Sequence, residues 1–360
     1  MKNMKRYIFN NTLIALSFTA LIFSSCSKND NAVTANPTAI QTTGTVTTFA
    51  GSGLSGSANG TGTAAAFNYP NGVAVDAAGN VYVADQGNNE IRKITSSGKV
   101  TTLSGTLTSG NSNTSAIGVS ATFTGPTGVA ADALGNVYVA DFGNNLIRKI
   151  AADGTVTTLA GGSKSGNTND VGTKALFNGP AGVAVDILGN VYVADFSNNL
   201  IREIAPDGTV TTLAGSGKAG STNGTGTAAS FNGPRGVAVD ASSNVYVADA
   251  NNNLIRKIDI NGVVTTFAGS GAKGNASGSA ASASFYYPSG VAVDAAGNVY
   301  VADALNNLVR KIAPDGTVSS LAGSGYLSIT RPFNGPVGVA VNASGVYVAN
   351  DYGNIIQVIK

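Results

Sequence analysis

The apolar residues of this chain occur in short runs, not at helical spacing. Gly182–Val185 and Val191–Ala194 are almost continuously apolar, and they are followed by runs of the type Leu-Ile-Arg-Lys-Ile and Val-Thr-Thr-Leu-Ala. Turn sequences such as Asp-Ala-Ala-Gly-Asn and Pro-Asp-Gly separate the runs. Short apolar runs between turn residues predict β-strands, and continuous apolarity predicts strands that are buried on both faces.

This set of four runs recurs six times along the chain. The proline that opens each copy is found at Pro70, Pro126, Pro180, Pro234, Pro288 and Pro336, with spacings of 56, 54, 54, 54 and 48 residues. A near-constant period indicates one structural unit per copy, and four antiparallel strands per unit are typical of a propeller blade. We therefore predict an all-β, six-bladed β-propeller with four antiparallel strands per blade.

The two ends of the repeat region predict how the ring closes. The last copy stops at Lys360 after its third run, whereas a matching fourth run, Val46–Gly51, stands alone before the first copy. We expect this N-terminal strand to complete the sixth blade, which would leave no unpaired sheet edge. The predicted propeller domain is residues 44–360.

The repeated motifs resemble those of the NHL-repeat propellers. The resemblance rests on segments such as Gly182–Asp186, Val191–Asp195 and Asn199–Arg202, and it extends over about residues 44 to 360. It implies an NHL-type six-bladed fold, and a fold alone does not give a function. The family includes a histidine-dependent lyase that acts on amidated-peptide precursors, but this sequence lacks the histidine ligands of that enzyme.

The N-terminal segment has the layout of an export signal. Residues 1–6 are basic, Tyr7–Phe23 is largely apolar, and Ser24 and Ser25 precede Cys26. The layout resembles a bacterial lipoprotein signal, which implies a signal peptide at 1–25, a lipid on Cys26 and a membrane partner through that anchor. An ordinary secretory signal and a membrane span are the alternatives.

Residues 26–43 are rich in Ser, Thr, Asn and Ala, and we interpret them as a flexible tether. The expected location is the cell envelope, anchored in the outer membrane and facing either the periplasm or the surface. We expect a monomer.

Charge and composition exclude several classes of function. Of the 21 basic residues Lys2, Lys5 and Arg6 lie in the signal segment, so 18 remain against 19 acidic residues, a poor match for nucleic acid. The absence of histidine excludes Ser-His-Asp catalysis and histidine-ligated zinc or iron. We predict no cofactor and no metal site. The aspartates that end the first strands are interpreted as turn caps, with weak calcium binding as the alternative.

Five repeats carry an Asp and an Arg seven residues apart, which we interpret as structural ion pairs. The sixth repeat has Asn350 and Gln357 at these positions, so both charges are lost together, as a buried pair requires. The pairs are Asp85 with Arg92, Asp141 with Arg148, Asp195 with Arg202, Asp249 with Arg256, and Asp303 with Arg310.

Candidate ligand contacts are the residues that break the repeat on the face with the long loops. Directly after the repeat proline these are Asn71, Thr127, Arg235 and Ser289, where other copies have Ala181 and Val337. In the second loop type they are Gln86, Phe142, Phe196 and Tyr352, and before the proline they are Tyr69 and Tyr287. Arg235 is the only charge among the six positions after the proline. Ordinary exposed loop residues are the alternative interpretation.

Two classes of function remain after these exclusions. The favoured one is a non-enzymatic envelope protein that binds a glycan, a peptide or a protein through its long-loop face. The alternative is an envelope enzyme of lyase or lactonase type. Its acid or base would have to come from the carboxylates without a repeat role, from Arg235 or from a tyrosine. These carboxylates are Asp30, Asp170, Asp259 and Asp351.

Overall fold

Each repeat forms one antiparallel sheet, and the six sheets follow one another as the blades of a propeller. The computed structural model describes residues 42–110, 116–117, 120–162, 164–325 and 332–360. The predicted signal peptide, Cys26 and the tether up to residue 41 lie outside the described residues. Blades are numbered 1 to 6 in the order of the repeat prolines, Pro70 to Pro336.

Each blade contributes a first, innermost strand that begins at the repeat proline. The first strands are Pro70–Val75, Pro126–Ala131, Pro180–Val185, Pro234–Val239, Pro288–Val293 and Pro336–Asn342. The second strands are Val81–Asp85, Val137–Asp141, Val191–Asp195, Val245–Asp249, Val299–Asp303 and Gly345–Asn350. The third strands are Glu90–Ile94, Leu146–Ile150, Leu200–Ile204, Leu254–Ile258, Leu308–Ile312 and Ile355–Ile359.

The fourth, outer strands complete the blades. In blades 1 to 5 they are Lys99–Gly105, Thr155–Ala160, Val210–Ala214, Val263–Ala268 and Thr317–Gly323. In blade 6 the fourth strand is Val46–Ala50, which pairs antiparallel with Ile355–Ile359. The backbone N–H groups of Thr45 and Lys360 extend this ladder by bonding to each other's carbonyls, at 2.9 and 3.0 Å. The predicted six-bladed all-β propeller and its closure by the N-terminal strand are both confirmed.

The sheets hold one feature beyond the four predicted strands. Two-residue strands from the long loops add a fifth member to four blades, at Gly60–Thr61, Ala116–Ile117, Gly224–Thr225 and Gly278–Ser279. Short 3-10 turns lie in the long loops and after the second strands, at Gly62–Ala64, Gln86–Asn88, Phe142–Asn144, Gly172–Lys174, Phe196–Asn198, Gly226–Ala228, Ala250–Asn252 and Ala304–Asn306. The long loops are therefore partly ordered against the outer strands.

The hydrophobic core lies between the blades. Tyr82 of blade 1 packs with Phe123 and Val137 of blade 2 in one of six equivalent clusters. The six phenylalanines that precede the repeat prolines are fully buried. Both faces of the inner strands are thus covered by neighbouring blades, which explains their continuous apolarity.

The first strands approach one another closely around the central axis. A Cβ atom at Gly128 of blade 2 would lie 2.7 Å from the carbonyl oxygen of Ala181 in blade 3. Such a contact is too short for any side chain, so this position requires glycine. The same glycine recurs in every blade, and the resulting channel is narrow.

The alternation of strand direction gives the propeller two different faces. The long loops and the 3-10 turns after the second strands lie on one face, which we call the long-loop face. The tight turns lie on the other, which we call the short-turn face. There Asp76 accepts hydrogen bonds from Asn80 and from the Tyr82 hydroxyl, at 2.8 to 3.1 Å. These bonds account for the aspartate that ends the first strand.

Candidate functional site

The residues that follow the six repeat prolines meet in a ring at the long-loop end of the channel. With the glycine and valine after each of them, they line a cavity of about 60 Å³. We call this ring the channel mouth: Asn71, Thr127, Ala181, Arg235, Ser289 and Val337. A cavity of this size admits a small terminal group or ordered water and not a whole ligand.

Three of the predicted contacts in the ring use their polar groups in hydrogen bonds within the protein, and two of these bonds join neighbouring blades. Thr127 and Ser289 donate their hydroxyls to the carbonyls of Ala181 and Val337, at 2.8 and 2.9 Å. The Asn71 amide donates to the Gln86 side chain at 2.9 Å. Asn71, Thr127 and Ser289 are at most 6% exposed. Their donor groups are therefore engaged within the ring.

The 3-10 turns after the second strands supply a second circle of side chains around the mouth. Phe142 covers Gly179 and Phe196 covers Gly233, so each ring lies over the residue before the proline of the next blade. Both phenylalanines are half-buried. They form an apolar side of the mouth across blades 2 to 4.

Tyr69 and Tyr287 occupy backbone positions where the other four blades have glycine. Their φ angles are 51° and 55°, in the left-handed region. A non-glycine residue in this region costs about 1 to 3 kcal/mol, and such outliers concentrate at functional sites. Tyr69 packs edge-to-face against Tyr352, with ring centroids 6.1 Å apart. The two rings form an exposed aromatic rim on the blade 6 and blade 1 side.

Arg235 is the cation of the mouth. Its guanidinium carbon lies 5.8 Å from the centroid of the Tyr287 ring, within the range of a cation-π interaction. In the described part of the chain, the Asp/Glu ion pairs shorter than 4.0 Å all join an arginine in a third strand to a carboxylate of its own blade. Arg235 therefore lies against an aromatic ring and has no carboxylate within 4.0 Å there.

Asp351 is a site residue that the sequence left without a role. It occupies in blade 6 the position of Gln86 and Phe142 in blades 1 and 2. Its Oδ1 atom is buried and accepts no hydrogen bond from the described residues. Burial raises the pKa of Asp351 to about 6, and the positive charge of Arg235 opposes that rise. The sequence signal was a charge at a position that is uncharged in the other five blades.

The structure contains the five ion pairs that the sequence predicts. Their Arg–Asp distances lie between 2.9 and 3.4 Å, and all ten side chains are fully buried. In blade 3, Arg202 also donates to the carbonyls of Leu176 and Thr168 in the long loop, and its guanidinium lies over the Phe177 ring. These pairs hold the long loops against the blades and lie away from the mouth.

A larger groove opens on the short-turn face. Its volume is about 530 Å³, and Leu134, Ile187 and Leu188 line it with side chains that are 70 to 90% exposed. Asp132 and Asp186 at its edge already bond to their own turns. The groove therefore offers apolar surface without convergent free polar groups.

The described residues contain neither a membrane-spanning helix nor a metal-binding cluster. None of these residues forms a helix that is long and apolar enough to cross a membrane. They contain no group of three or more His, Cys, Asp or Glu side chains that could hold a metal ion.

Family models match blades 1 to 5 and the beginning of blade 6. The model of the NHL repeat matches residues 67–94, 123–150 and 177–204, and the model of the Teneurin NHL domain matches residues 214–276 and 272–346. The chain is an NHL-repeat six-bladed β-propeller. The NHL blades carry the mouth residues at their innermost ends, so the site is part of the repeat itself.

Two curated relatives share only the repeat region with this NHL propeller. The chloroplastic protein SUPPRESSOR OF QUENCHING 1 of Arabidopsis thaliana is 30% identical over 150 residues, which are 39% of this chain and 14% of that protein. Teneurin-3 of Mus musculus is 28% identical over 169 residues, which are 42% of this chain and 6% of that protein. The chain thus spans a small part of these relatives' length.

Solved structures resemble the propeller over most of its length. A protein of unknown function from Bacteroides thetaiotaomicron is 23% identical, with a TM-score of 0.66, covering 88% of this chain and 76% of that one. An auxiliary nutrient binding protein from the same organism is 16% identical, with a TM-score of 0.65, covering 89% and 77%.

Enzymes are also among the structural neighbours. A catalytically inactive histidine-to-alanine variant of virginiamycin B lyase from Staphylococcus aureus is 14% identical, with a TM-score of 0.52, covering 81% and 80%. A gluconolactonase has the same fold. At these identities the likeness concerns the fold alone.

Proposed function

We propose that this NHL propeller is a non-enzymatic binding protein of the cell envelope that holds its ligand at the channel mouth. The observation that carries the proposal is Arg235, a half-buried cation that an aromatic ring supports and that has no carboxylate within ion-pair distance among the described residues. A structural arginine in this chain looks different, because it is fully buried and paired with an aspartate. Five of the six equivalent positions carry no charge, so the scaffold does not need one.

The strained tyrosines and the structural neighbours support the same proposal. Tyr69 and Tyr287 replace glycine at left-handed positions beside the mouth, where four of the six blades avoid the backbone strain of a side chain. An auxiliary nutrient binding protein shares the fold. Only a small group of the ligand fits the 60 Å³ cavity, so most of the ligand would rest on the aromatic rim.

A second candidate function is an enzyme of lyase or lactonase type, and Asp351 is the observation that favours it. A carboxylate with a pKa near 6 in a partly closed mouth has the property of a general base. The absence of histidine weighs against the lyase comparison, because the inactive lyase variant differs by the loss of a histidine. We therefore keep binding as the proposed function.

The envelope location in the proposal rests on the lipoprotein-like signal and on Cys26, the only cysteine of the chain. Thr45 and Val46 begin the propeller at the end of the third strand of blade 6, on the short-turn side.

Replacement of Cys26 by serine is expected to release the protein from the membrane fraction or to block its maturation. The sulfur of Cys26 is the atom that would carry the lipid, and serine keeps the size of the side chain. Fractionation and gel mobility measure the result, with Ser25→Ala as the control. A Cys26→Ser protein that fractionates and migrates like the wild type would exclude the anchor.

Replacement of Arg235 by alanine is expected to weaken ligand binding by about 1.5 to 3 kcal/mol, the range for hydrogen bonds to charged groups. Stability should change by less than about 0.5 kcal/mol, because Arg235 is not part of the core. Glycan and peptide arrays with the full-length protein in detergent identify the ligand. Titration of wild type, Arg235→Ala and the exposed control Lys218→Ala then measures its affinity.

Two outcomes would count against the proposed function. Unchanged affinity with a large loss of melting temperature would assign Arg235 to the scaffold. Recovery of the ligand in a chemically altered form, with Asp351→Asn abolishing the change, would favour the enzyme.

A further inference from the structure

Arg235 and Asp351 carry opposite charges near the channel mouth and do not form an ion pair. Arg235 belongs to blade 4 and Asp351 to blade 6, and no ion pair shorter than 4.0 Å joins them. The charge of Arg235 nevertheless acts on Asp351, since it opposes the rise of the Asp351 pKa. The two groups therefore interact electrostatically without forming an ion pair.

Asp351 has a hydrogen-bond acceptor that no described residue uses. Its buried Oδ1 lacks a donor among the described residues, and buried acceptors in folded proteins are normally satisfied. Arg235 offers the complementary group, a planar fork that bonds a carboxylate through two parallel N–H groups. A ligand that completes both groups has to carry a carboxylate and a hydrogen-bond donor.

We propose that the channel mouth binds an acidic saccharide, with its carboxylate on Arg235 and a hydroxyl donating to Asp351. This inference rests on the proposed function and specifies its ligand. The 60 Å³ cavity has room for the carboxylate, and the edge-to-face pair of Tyr69 and Tyr352 offers an exposed aromatic surface beside Asp351 for the sugar ring.

A hydroxyl suits Asp351 better than an ammonium does. The same Arg235 charge that acts on Asp351 would repel a cationic donor placed beside it. A hydroxyl is neutral and donates one hydrogen bond without that repulsion. Sugar acids carry a carboxylate and several hydroxyls on one ring, so they satisfy both groups with one small unit.

The ligand class is tested by titrating the full-length protein with four probes at pH 7.5. Galacturonate contains both groups, galactose lacks the carboxylate, cyclohexanecarboxylate lacks the hydroxyls, and alanine replaces hydroxyls with an ammonium. We expect galacturonate to bind at least about tenfold tighter than each of the other three, the scale of one lost hydrogen bond to a charged group.

Two variants assign the two contacts separately. Arg235→Ala should remove the preference for galacturonate over galactose, because the carboxylate of galacturonate then has no cationic partner. Asp351→Ala should remove the preference for galacturonate over cyclohexanecarboxylate. Lys218→Ala, which removes an exposed cation of a long loop, should change neither ratio, and melting curves verify that each variant is folded.

The pH profile is a readout that a purely structural role would not move. Below pH 6 Asp351 is increasingly protonated, which makes it a neutral and therefore weaker acceptor for the ligand hydroxyl. Among described residues, Arg235 is the charged group that acts on Asp351, and the remaining ionisable rim groups are the phenols of Tyr69, Tyr287 and Tyr352. The preference for galacturonate over cyclohexanecarboxylate should therefore be smaller at pH 5.5 than at pH 7.5, because both probes carry the carboxylate and only galacturonate uses Asp351. Asp351→Asn should abolish this dependence.

The outcomes separate this inference from the proposed function. A ligand that needs Arg235 but is neutral, or is bound through an ammonium as alanine is, overturns the acidic saccharide and leaves a binding mouth. Galacturonate affinity that is absent, or that is unaffected by both Arg235→Ala and Asp351→Ala, also overturns it. If the arrays in addition yield no ligand that depends on the mouth, the proposed function fails as well.

Discussion

Replacement of Arg202 by glutamine is expected to lower the free energy of unfolding by about 3 to 5 kcal/mol. The change leaves the carboxylate of Asp195 fully buried without its cation, 3.0 Å from where the guanidinium was, and removal of one partner of a buried pair has this cost. It also removes the hydrogen bonds that Arg202 donates to the long loop of blade 3. Urea unfolding measures the effect.

Blade 6 shows how the same site is built without charge. Asn350 donates to Gln357 at 2.9 Å and accepts from the backbone of Asn334 at 2.8 Å. A third position has changed as well, since Gly353 stands where blade 3 has Asn198. Asn198 donates to Asp195, so an asparagine at 195 would set two amide donors against each other unless Asn198 is also removed.

The triple variant Asp195→Asn, Asn198→Gly, Arg202→Gln should therefore recover at least half of the stability that Arg202→Gln loses. Lys218→Gln is the matched control, because it removes an exposed basic residue and should stay within about 0.5 kcal/mol of the wild type. Equal stability of Arg202→Gln and the control would mean that the buried pair does not hold the blade. A triple variant no better than the single one would place the loss in the long-loop contacts.

Deletion of residues 44–53 is expected to lower the melting temperature strongly and to promote aggregation. It removes the fourth strand of blade 6 and exposes the edge of Ile355–Ile359, which then offers unpaired N–H and C=O groups to other chains. The deletion also removes Ala50, which is fully buried, and Phe49, whose ring lies 5.3 Å from that of Tyr347. Thermal unfolding and light scattering measure both effects.

A rescue makes the closure experiment decisive. The other five blades take their fourth strand from the C-terminal side of the third strand, after a turn that contains a glycine and that reads Pro-Asp-Gly in blades 3 and 5. Adding Ala-Pro-Asp-Gly-Thr-Val-Thr-Thr-Phe-Ala-Gly after Lys360 of the deletion variant should therefore restore most of the melting temperature. Deletion of residues 28–37 is the control of equal length. An unchanged melting temperature on deletion of 44–53 would refute closure by this strand.

The fold could be predicted because the same sequence pattern recurs in all six repeats. Strand runs such as Val191–Ala194 and the solitary Val46–Gly51 segment are local patterns, and their number and order leave one way to complete the ring. The two-residue fifth strands, such as Gly60–Thr61, carry no such pattern. They form because a long loop crosses the outer strand Lys99–Gly105, which is a property of the assembled blade.

The candidate site was predictable in place and only partly in chemistry. The sequence located Arg235 and the two tyrosines by their departure from the repeat, since a position that differs in one blade is not needed by the scaffold. It did not reveal that Thr127 and Ser289 donate their hydroxyls to backbone carbonyls of the neighbouring blade. It also could not distinguish Asp351 from the other carboxylates without a repeat role.

The sequence by itself determined the number of blades, the strands within each, the partner of the first strand and the pairing of Asp with Arg. Each of these depends on local patterns repeated at a fixed period. The tertiary structure alone decided which side chains face the channel mouth and which form hydrogen bonds between blades. That outcome depends on which blades the closed ring brings together. Closure of the ring brings the charge of Arg235 in blade 4 close enough to act on Asp351 in blade 6, and it leaves the buried Oδ1 of Asp351 without a donor among the described residues.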